Sequence, residues 1–240
     1  MVRSSEPNRY ASDAIKDLIR ARGLEPGDLM PTEAELVVEL GVSRSSIRDA
    51  VRTLTALDIL EVRHGTGTFV GQLSLKPLVE GMVFRGVLLP GDGLQSLRAI
   101  IEVRTALDQA LAPQIVERLA DTNAPELQAD VDAIVDSAAR NESFAEHDRS
   151  FHLHLAERLG NQLYGQLVAA FWDIHRSLAP QLGVPSARAQ QETADAHVAL
   201  LQAGLSGDLR RYQQAVREHY EPLLTILDTV ANRAPTKENQ

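Results

Sequence analysis

Apolar positions recur at three- and four-residue spacing along most of this 240-residue chain, the period of helices that bury one face. Ala14, Ile15, Leu18 and Ile19 form the first such stripe, which ends near Gly23 and the turn "LEPGD" (Leu24–Asp28). Thr32 and Glu35 read as a capping box ahead of Leu36, Val37 and Leu40, and Gly41 stops that helix. Ser43 is an N-cap for a third helix carrying Ile47, Ala50, Val51, Leu54 and Leu57 on one side. The period then changes: "ILEVRH" (Ile59–His64) and "TFV" (Thr68–Val70) flank "GTG", a small hairpin. From about residue 75 the helical period returns and stays. It predicts helices near 75–87, 94–119, 125–139, 143–159, 162–180, 187–205 and 208–231. Breaks fall at Leu89–Gly93, Asp121–Pro125, Gly160–Asn161, Gly183–Ser186 and Gly204–Asp208. The expected fold is mostly α: a small head over 9–71, then an all-α antiparallel helical bundle over 75–231. Residues 1–8 and 232–240 are polar ends, expected to fray.

Composition narrows the class only modestly. Hydrophobic residues make up 44% of the chain, enough for an ordinary core. The absence of cysteine excludes disulfides, thiolate metal sites and a cysteine nucleophile. No apolar run reaches membrane-spanning length and no signal-peptide pattern is present, so a cytoplasmic protein without a membrane partner is expected. The net charge of −9 argues weakly against a polyanion partner, but charge acts locally.

In the head, Arg44, Arg48 and Arg52 stand at i, i+4 and i+8 of the third helix, beside the apolar stripe. Ser43, Ser45 and Ser46 lie at that helix's N-terminus. Helix N-termini and guanidinium groups both suit phosphate, and arginine also reads guanine in the major groove. A solvated charged face would carry the same residues, so the order helix, helix, turn, helix, hairpin adds weight. Glu33, Glu35, Glu39, Asp49 and Glu61 lie nearby, so DNA affinity would rest on a few placed contacts and on dimerisation.

The segment "MPTEAELVVELGVSRSSIRDAVRTLTALDILEVRHGTGTFV" (Met30–Val70) resembles the winged helix-turn-helix of GntR-family bacterial transcription regulators. It shares Gly-Val-Ser-Arg, the spaced Ile-Arg-x-Ala and the Gly-x-Gly-Thr-Phe-Val wing. The resemblance implies a third helix in the major groove, a wing tip in the minor groove, and DNA contacts at Ser43, Arg44, Ser45, Ser46, Arg48, His64 and Gly65. Two positions depart from the pattern. Ala34 stands where many members carry a DNA-touching arginine, and Asp58 stands where a glycine commonly precedes the wing.

The second constellation begins at "HDRSFHLH" (His147–His154). On a helix, Phe144, Asp148, Phe151, His152, Leu155 and Leu159 share one face, so Asp148 and His152 point into the bundle. His147 and His154 fall on the solvent side. His197 lies on the stripe of Ala194, Leu201 and Leu205, and His219 on that of Tyr212, Val216, Leu223 and Ile226. Buried polar groups need partners. Nitrogen and oxygen ligation by Asp148, His152, His197 and His219 would suit a divalent metal, zinc foremost, with nickel, manganese or iron as alternatives. Separate hydrogen-bonded core histidines are the competing reading. His175 could line a pocket with Trp172, though ordinary packing is the better account.

This half resembles the FCD effector domain of the FadR subfamily, whose metal-binding members show Asp-x-x-Phe-His, a later His, and a last His about 22 residues on. Here those are Asp148, Phe151, His152, His197 and His219, with "RLGNQLY" (Arg158–Tyr164) following the motif helix. The resemblance implies a metal with open positions facing a pocket for a small organic acid. "EVRTALDQALAP" (Glu102–Pro113) resembles the family's Glu-Val-Arg helix, which makes Arg104 a candidate fork for an effector carboxylate; a surface salt bridge is the alternative. The expectation is a homodimeric regulator that binds pseudo-palindromic, double-stranded operator DNA and changes operator affinity when an effector binds. A metal-dependent hydrolase is an alternative, though no general base stands clearly near Asp148 or His152. A regulator with a purely structural metal is another.

Overall fold

The computed structural model describes residues 6–88, 92–178 and 186–233. The expected breaks at 89–93 and 183–186, and the expected frayed ends, lie largely outside the described residues. By internal contacts the chain divides into two units, 1–78 and 79–240.

The first unit is built on α1 (Glu6–Arg22), α2 (Glu33–Leu40), α3 (Arg44–Ala56) and a hairpin of β1 (Leu60–Arg63) with β2 (Gly67–Val70). Local chemistry sets the helix ends. The Thr32 hydroxyl accepts from the Glu35 N–H, and the Glu35 carboxylate accepts from the Thr32 N–H at 2.8 Å, closing a reciprocal cap. Gly41 ends α2 at φ 65°, the left-handed conformation glycine tolerates. Ala11 and Ile15 of α1, Leu36, Ile47 and Leu54, and the hairpin's Leu60 and Val70 meet in one small core. Each fully buried Leu, Ile or Phe side chain stabilises by roughly 1.5–3 kcal/mol.

The antiparallel register pairs Leu60 with Val70 and Arg63 with Gly67, which leaves His64 and Gly65 at the tip. A third segment joins the hairpin: Leu29 bridges to Phe69, and the Met30 N–H donates to the Thr68 carbonyl at 2.8 Å. No periodic pattern announces it, because a single bridge is too short to show a period. Asp58 takes φ 55°, a left-handed turn conformation. It costs little there because its carboxylate accepts from the Ser74 N–H at 3.0 Å and the Ser74 hydroxyl at 2.5 Å.

The second unit runs from α4 (Lys76–Leu88), which begins at the division, through α5 (Asp92–Leu119), α6 (Pro125–Ala139), α7 (Ala145–Leu159), α8 (Gln162–Leu178), α9 (Ala187–Leu205) and α10 (Leu209–Arg233). Among the described residues this unit holds no strand. The helices pack with α10 against α9 and α5, α6 against α7 and α9, and α8 against α7 and α5. Their shared core includes Leu97, Ile115, Leu119, Leu127, Ile134, Phe151 and Ile174. Gly204 lets α9 approach α5: a Cβ there would lie 2.8 Å from Leu119 Cδ1.

Gly71 leaves the wing through a tight passage, where a Cβ would stand 2.3 Å from the Asp58 backbone oxygen. Backbone cannot yield there as a side-chain tip would. Gly71→Ala should destabilise the first unit by about 1–3 kcal/mol, read as a lower denaturant midpoint for that unit's unfolding.

Candidate metal centre, effector cavity and DNA-binding face

Three helices bring four buried ligand atoms together. α7 supplies Asp148 and His152 one turn apart, α9 supplies His197, and α10 supplies His219. One ligand atom from each lies within 4.8 Å of every other. The inward face of α7 follows from its period: Asp148, Phe151, His152, Leu155 and Leu159 are all buried. His197 is fully buried.

The contacts inside the cluster run between would-be acceptors. His197 Nδ1–H donates to the Thr193 carbonyl at 2.8 Å. In the neutral ring Nε2 therefore carries a lone pair, and it faces Asp148 Oδ1 at 3.1 Å. His152 Nε2 lies 3.3 Å from the same oxygen and 3.1 Å from His219 Nε2. Lone pairs at this range repel unless a proton or a cation lies among them. Donors about 2.0–2.2 Å from a shared zinc ion would sit roughly 3–3.5 Å from one another. The residues therefore fit a divalent metal in donor type and burial, and the contacts of 3.1 and 3.3 Å match its spacing. The Thr193 carbonyl also fixes the His197 tautomer and ring orientation, the usual task of a group behind a metal ligand.

Electrostatics favours the ligating forms of Asp148, His152 and His219. Burial, with the Arg104 charge beside it, pushes His152 down to about 4. Burial likewise depresses His219, reinforced by His197 and His152. For Asp148 burial works upward, but the facing His197 and His152 outweigh it and hold the carboxyl well below its usual range. Neutral imidazole and ionised carboxylate are the forms that bind metal.

One wall of the cluster borders a cavity of about 370 Å³ whose lining includes Asp148, His219, Arg104, Trp172 and His175. Arg104 is only 8% exposed, so the surface salt bridge considered for it does not exist. Its Nε lies 4.0 Å from Asp108 Oδ2, and among the described residues Nε and Nη2 find no hydrogen-bond partner. Asp108 is already engaged: it accepts from the Tyr164 hydroxyl at 2.7 Å and from the Tyr220 hydroxyl at 2.5 Å. Burial and the Asp108 charge raise the Tyr164 hydroxyl, which keeps it a donor.

Three bystanders need comment. His147 is exposed, as expected. His154 is not on the solvent side: it is half-buried and its Nδ1 lies 2.7 Å from Asp130 Oδ2 on α6. Asp130 has a polar face of its own in an apolar stripe, which spacing on α7 alone cannot reveal. His175 does more than pack, since it lines the cavity beside Trp172, with burial lowering its pKa.

On the first unit, Ser43 caps α3 by accepting from the Ser46 N–H at 3.1 Å, and its hydroxyl lies 2.9 Å from those of Ser45 and Ser46. Arg44, Arg48 and Arg52 are exposed along one flank of α3. Arg52 lies 3.7 Å from Asp49 on the same helix. Among the described residues, Arg44 and Arg48 have no ion-pair partner. At the wing, Arg63 pairs with Glu61 and stacks over Phe69, 4.2 Å from the ring centre.

A helix-turn-helix with a wing, followed in the chain by a helical bundle with a buried Asp/His cluster beside a cavity, defines a two-part transcription regulator. The chain belongs to the GntR family of bacterial regulatory proteins: the family model "Bacterial regulatory proteins, gntR family" matches residues 8–70, and the FCD domain model matches 99–222. It is similar to the galactonate operon transcriptional repressor of Escherichia coli (strain K12), 25% identical over 178 residues, covering 74% of this chain and 78% of that protein. It is similar to the HTH-type transcriptional repressor NanR of Cronobacter sakazakii (strain ATCC BAA-894), 22% identical over 237 residues, 96% of this chain and 89% of that one. In fold it resembles the solved Streptococcus agalactiae GntR, with TM-score 0.61 and 24% identity over 93% of this chain and 98% of that one. Members of this class regulate transcription and are not enzymes, so the hydrolase alternative falls. No helix among the described residues is long and apolar enough to cross a membrane.

Asp108 holds Tyr164 and Tyr220 and is the nearest balance for the Arg104 charge. Asp108→Ala should lower the stability of the helical unit by about 3–5 kcal/mol, because it strands a buried guanidinium. Tyr164→Phe should cost about 1–3 kcal/mol. Urea unfolding of the two variants measures the difference.

Proposed function

We propose that the chain is a ligand-responsive repressor or activator in which Asp148, His152, His197 and His219 hold a divalent metal, zinc foremost, and a carboxylate effector binds beside it at Arg104. The observation that carries this reading is the buried convergence of four ligand atoms within 4.8 Å at the wall of a cavity that also contains Arg104. The metal would supply a Lewis-acidic anchor for an effector oxygen. The residues of the chain do the rest. His197 is oriented by Thr193, Asp148 supplies the compensating negative charge, and Arg104 offers donors that the protein leaves without acceptors. A purely structural metal would give no reason for those unpaired donors.

On DNA, Ser43, Arg44, Ser45, Ser46, Arg48 and Arg52 would meet the major groove and its phosphates, with His64 and Gly65 at the minor groove. Support comes from the exposed arginine flank and the open N-terminus of α3, which suits a phosphate. A homodimer in the cytoplasm would present two such faces to a pseudo-palindromic operator. Effector and operator then alter each other's affinity by one common factor.

Two measurements test the reading. Arg48→Ala should weaken operator binding roughly 5- to 150-fold in a mobility-shift assay, the range for a lost base contact, with the fold unchanged by circular dichroism. Unchanged affinity would remove Arg48 from the interface. Asp148→Ala and His219→Ala should each lose the metal that the parent protein carries, read by elemental analysis of purified protein. Full metal content in both would show that the metal sits elsewhere.

A further inference from the structure

The cavity beside the cluster presents a mostly apolar surface: Leu97, Ile100, Ile101, Phe171, Leu223 and Ile226 line it, with Asn141, Ser143, Gln190 and Thr193 among its polar residues. Two of its hydroxyls already have a partner within the protein. That of Thr193 donates to the Ala189 carbonyl at 2.9 Å, and that of Ser143 accepts from the Ala145 N–H at 3.5 Å. Four nitrogens of its lining residues are buried without a partner: Arg104 Nε and Nη2, Trp172 Nε1 and His219 Nδ1. The arginine and tryptophan atoms are donors only, and so is His219 Nδ1 once Nε2 faces a cation. Buried donors without acceptors are costly, and they ask for a ligand group rich in acceptors.

Charge points the same way. Arg104 is balanced by Asp108, and Asp148 is the one carboxylate of the metal cluster. With neutral imidazoles, a divalent cation leaves this buried set with a net positive charge. A single negative charge neutralises it, and a second would be buried without compensation. The volume of about 370 Å³ is in the range of small-molecule sites.

We infer that the effector is a monocarboxylate with an aliphatic or aromatic body, not a polyhydroxylated acid. The inference rests on the proposed carboxylate site at the metal and Arg104, and it specifies what the rest of that ligand must be. A polyol chain would place hydroxyls against Leu, Ile and Phe side chains and leave them unpaired. An alkyl chain or ring gains from every methylene it buries there.

The test uses a matched set of probes on the full-length, metal-loaded protein, read by titration calorimetry and thermal shift. Hexanoate and gluconate share a carboxylate and a six-carbon chain and differ in hydroxylation. 1-Hexanol keeps the chain and removes the charge. Hexanoate should bind at least about a hundredfold more tightly than gluconate, and each methylene from butanoate to hexanoate should tighten binding by about fourfold. 1-Hexanol should give no thermal shift where hexanoate gives a clear one. If gluconate binds more tightly than hexanoate, the apolar body is wrong and the carboxylate site still stands. If 1-hexanol matches hexanoate, the anionic head is wrong. If neither carboxylate binds the metal-loaded protein, the effector reading fails together with this one.

Discussion

The helical unit is organised around buried charges and lone pairs. Asp148, His152, His197 and His219 come together where each is at most 8% exposed. Such a group is stable only if something positive compensates the carboxylate and separates the ring nitrogens. A few ångströms of helix placement decide this. α7 presents two of these residues from adjacent turns, and α9 and α10 each present one. α10 packs extensively against α9 and α5, which ties His219 to the helix that carries Arg104 and Asp108. The Asp/His cluster and the arginine–tyrosine network are therefore neighbours built on the same helices.

That arrangement explains why the cavity is chemically lopsided. Asp108 draws two tyrosine hydroxyls to itself and leaves Arg104 with donors unmet. A two-pronged pair with Asp108 would have engaged two of the five guanidinium N–H donors. The 4.0 Å separation keeps the charge balanced while the donors stay open. Burial adds to this by holding His152 and His219 neutral. The first unit follows a different logic. Its core is small, and the arginines of α3 stand outside it, exposed to solvent.

Much of this could be read along the chain, for local reasons. The boundaries of α2 and α3 follow from Thr32, Gly41 and Ser43, whose capping chemistry acts within a few residues. The inward faces of α7, α9 and α10 follow from a 3.6-residue period, so the four cluster residues could be named before any helix was placed. The wing hairpin followed from β-branched runs around a glycine turn. Where the reading failed, the missing partner was far away in sequence. His154 looked solvent-facing because its own helix said so, yet Asp130 on α6 meets it. His175 looked like ordinary packing until α8 turned it toward the cavity. The strand-like contact of Leu29 with Phe69 is one bridge long and leaves no period to find.

The sequence by itself determined which residues face inward and which helix carries the arginines, because periodicity and capping depend on near neighbours. It also carried the motifs that mark the family. Only the tertiary structure decided that four inward groups from three helices share one point, that Arg104 is buried with donors unmet, and that an apolar cavity lies beside them. Those facts depend on how α5, α7, α8, α9 and α10 pack, and packing is set by the fit of whole side-chain surfaces rather than by spacing along any one of them.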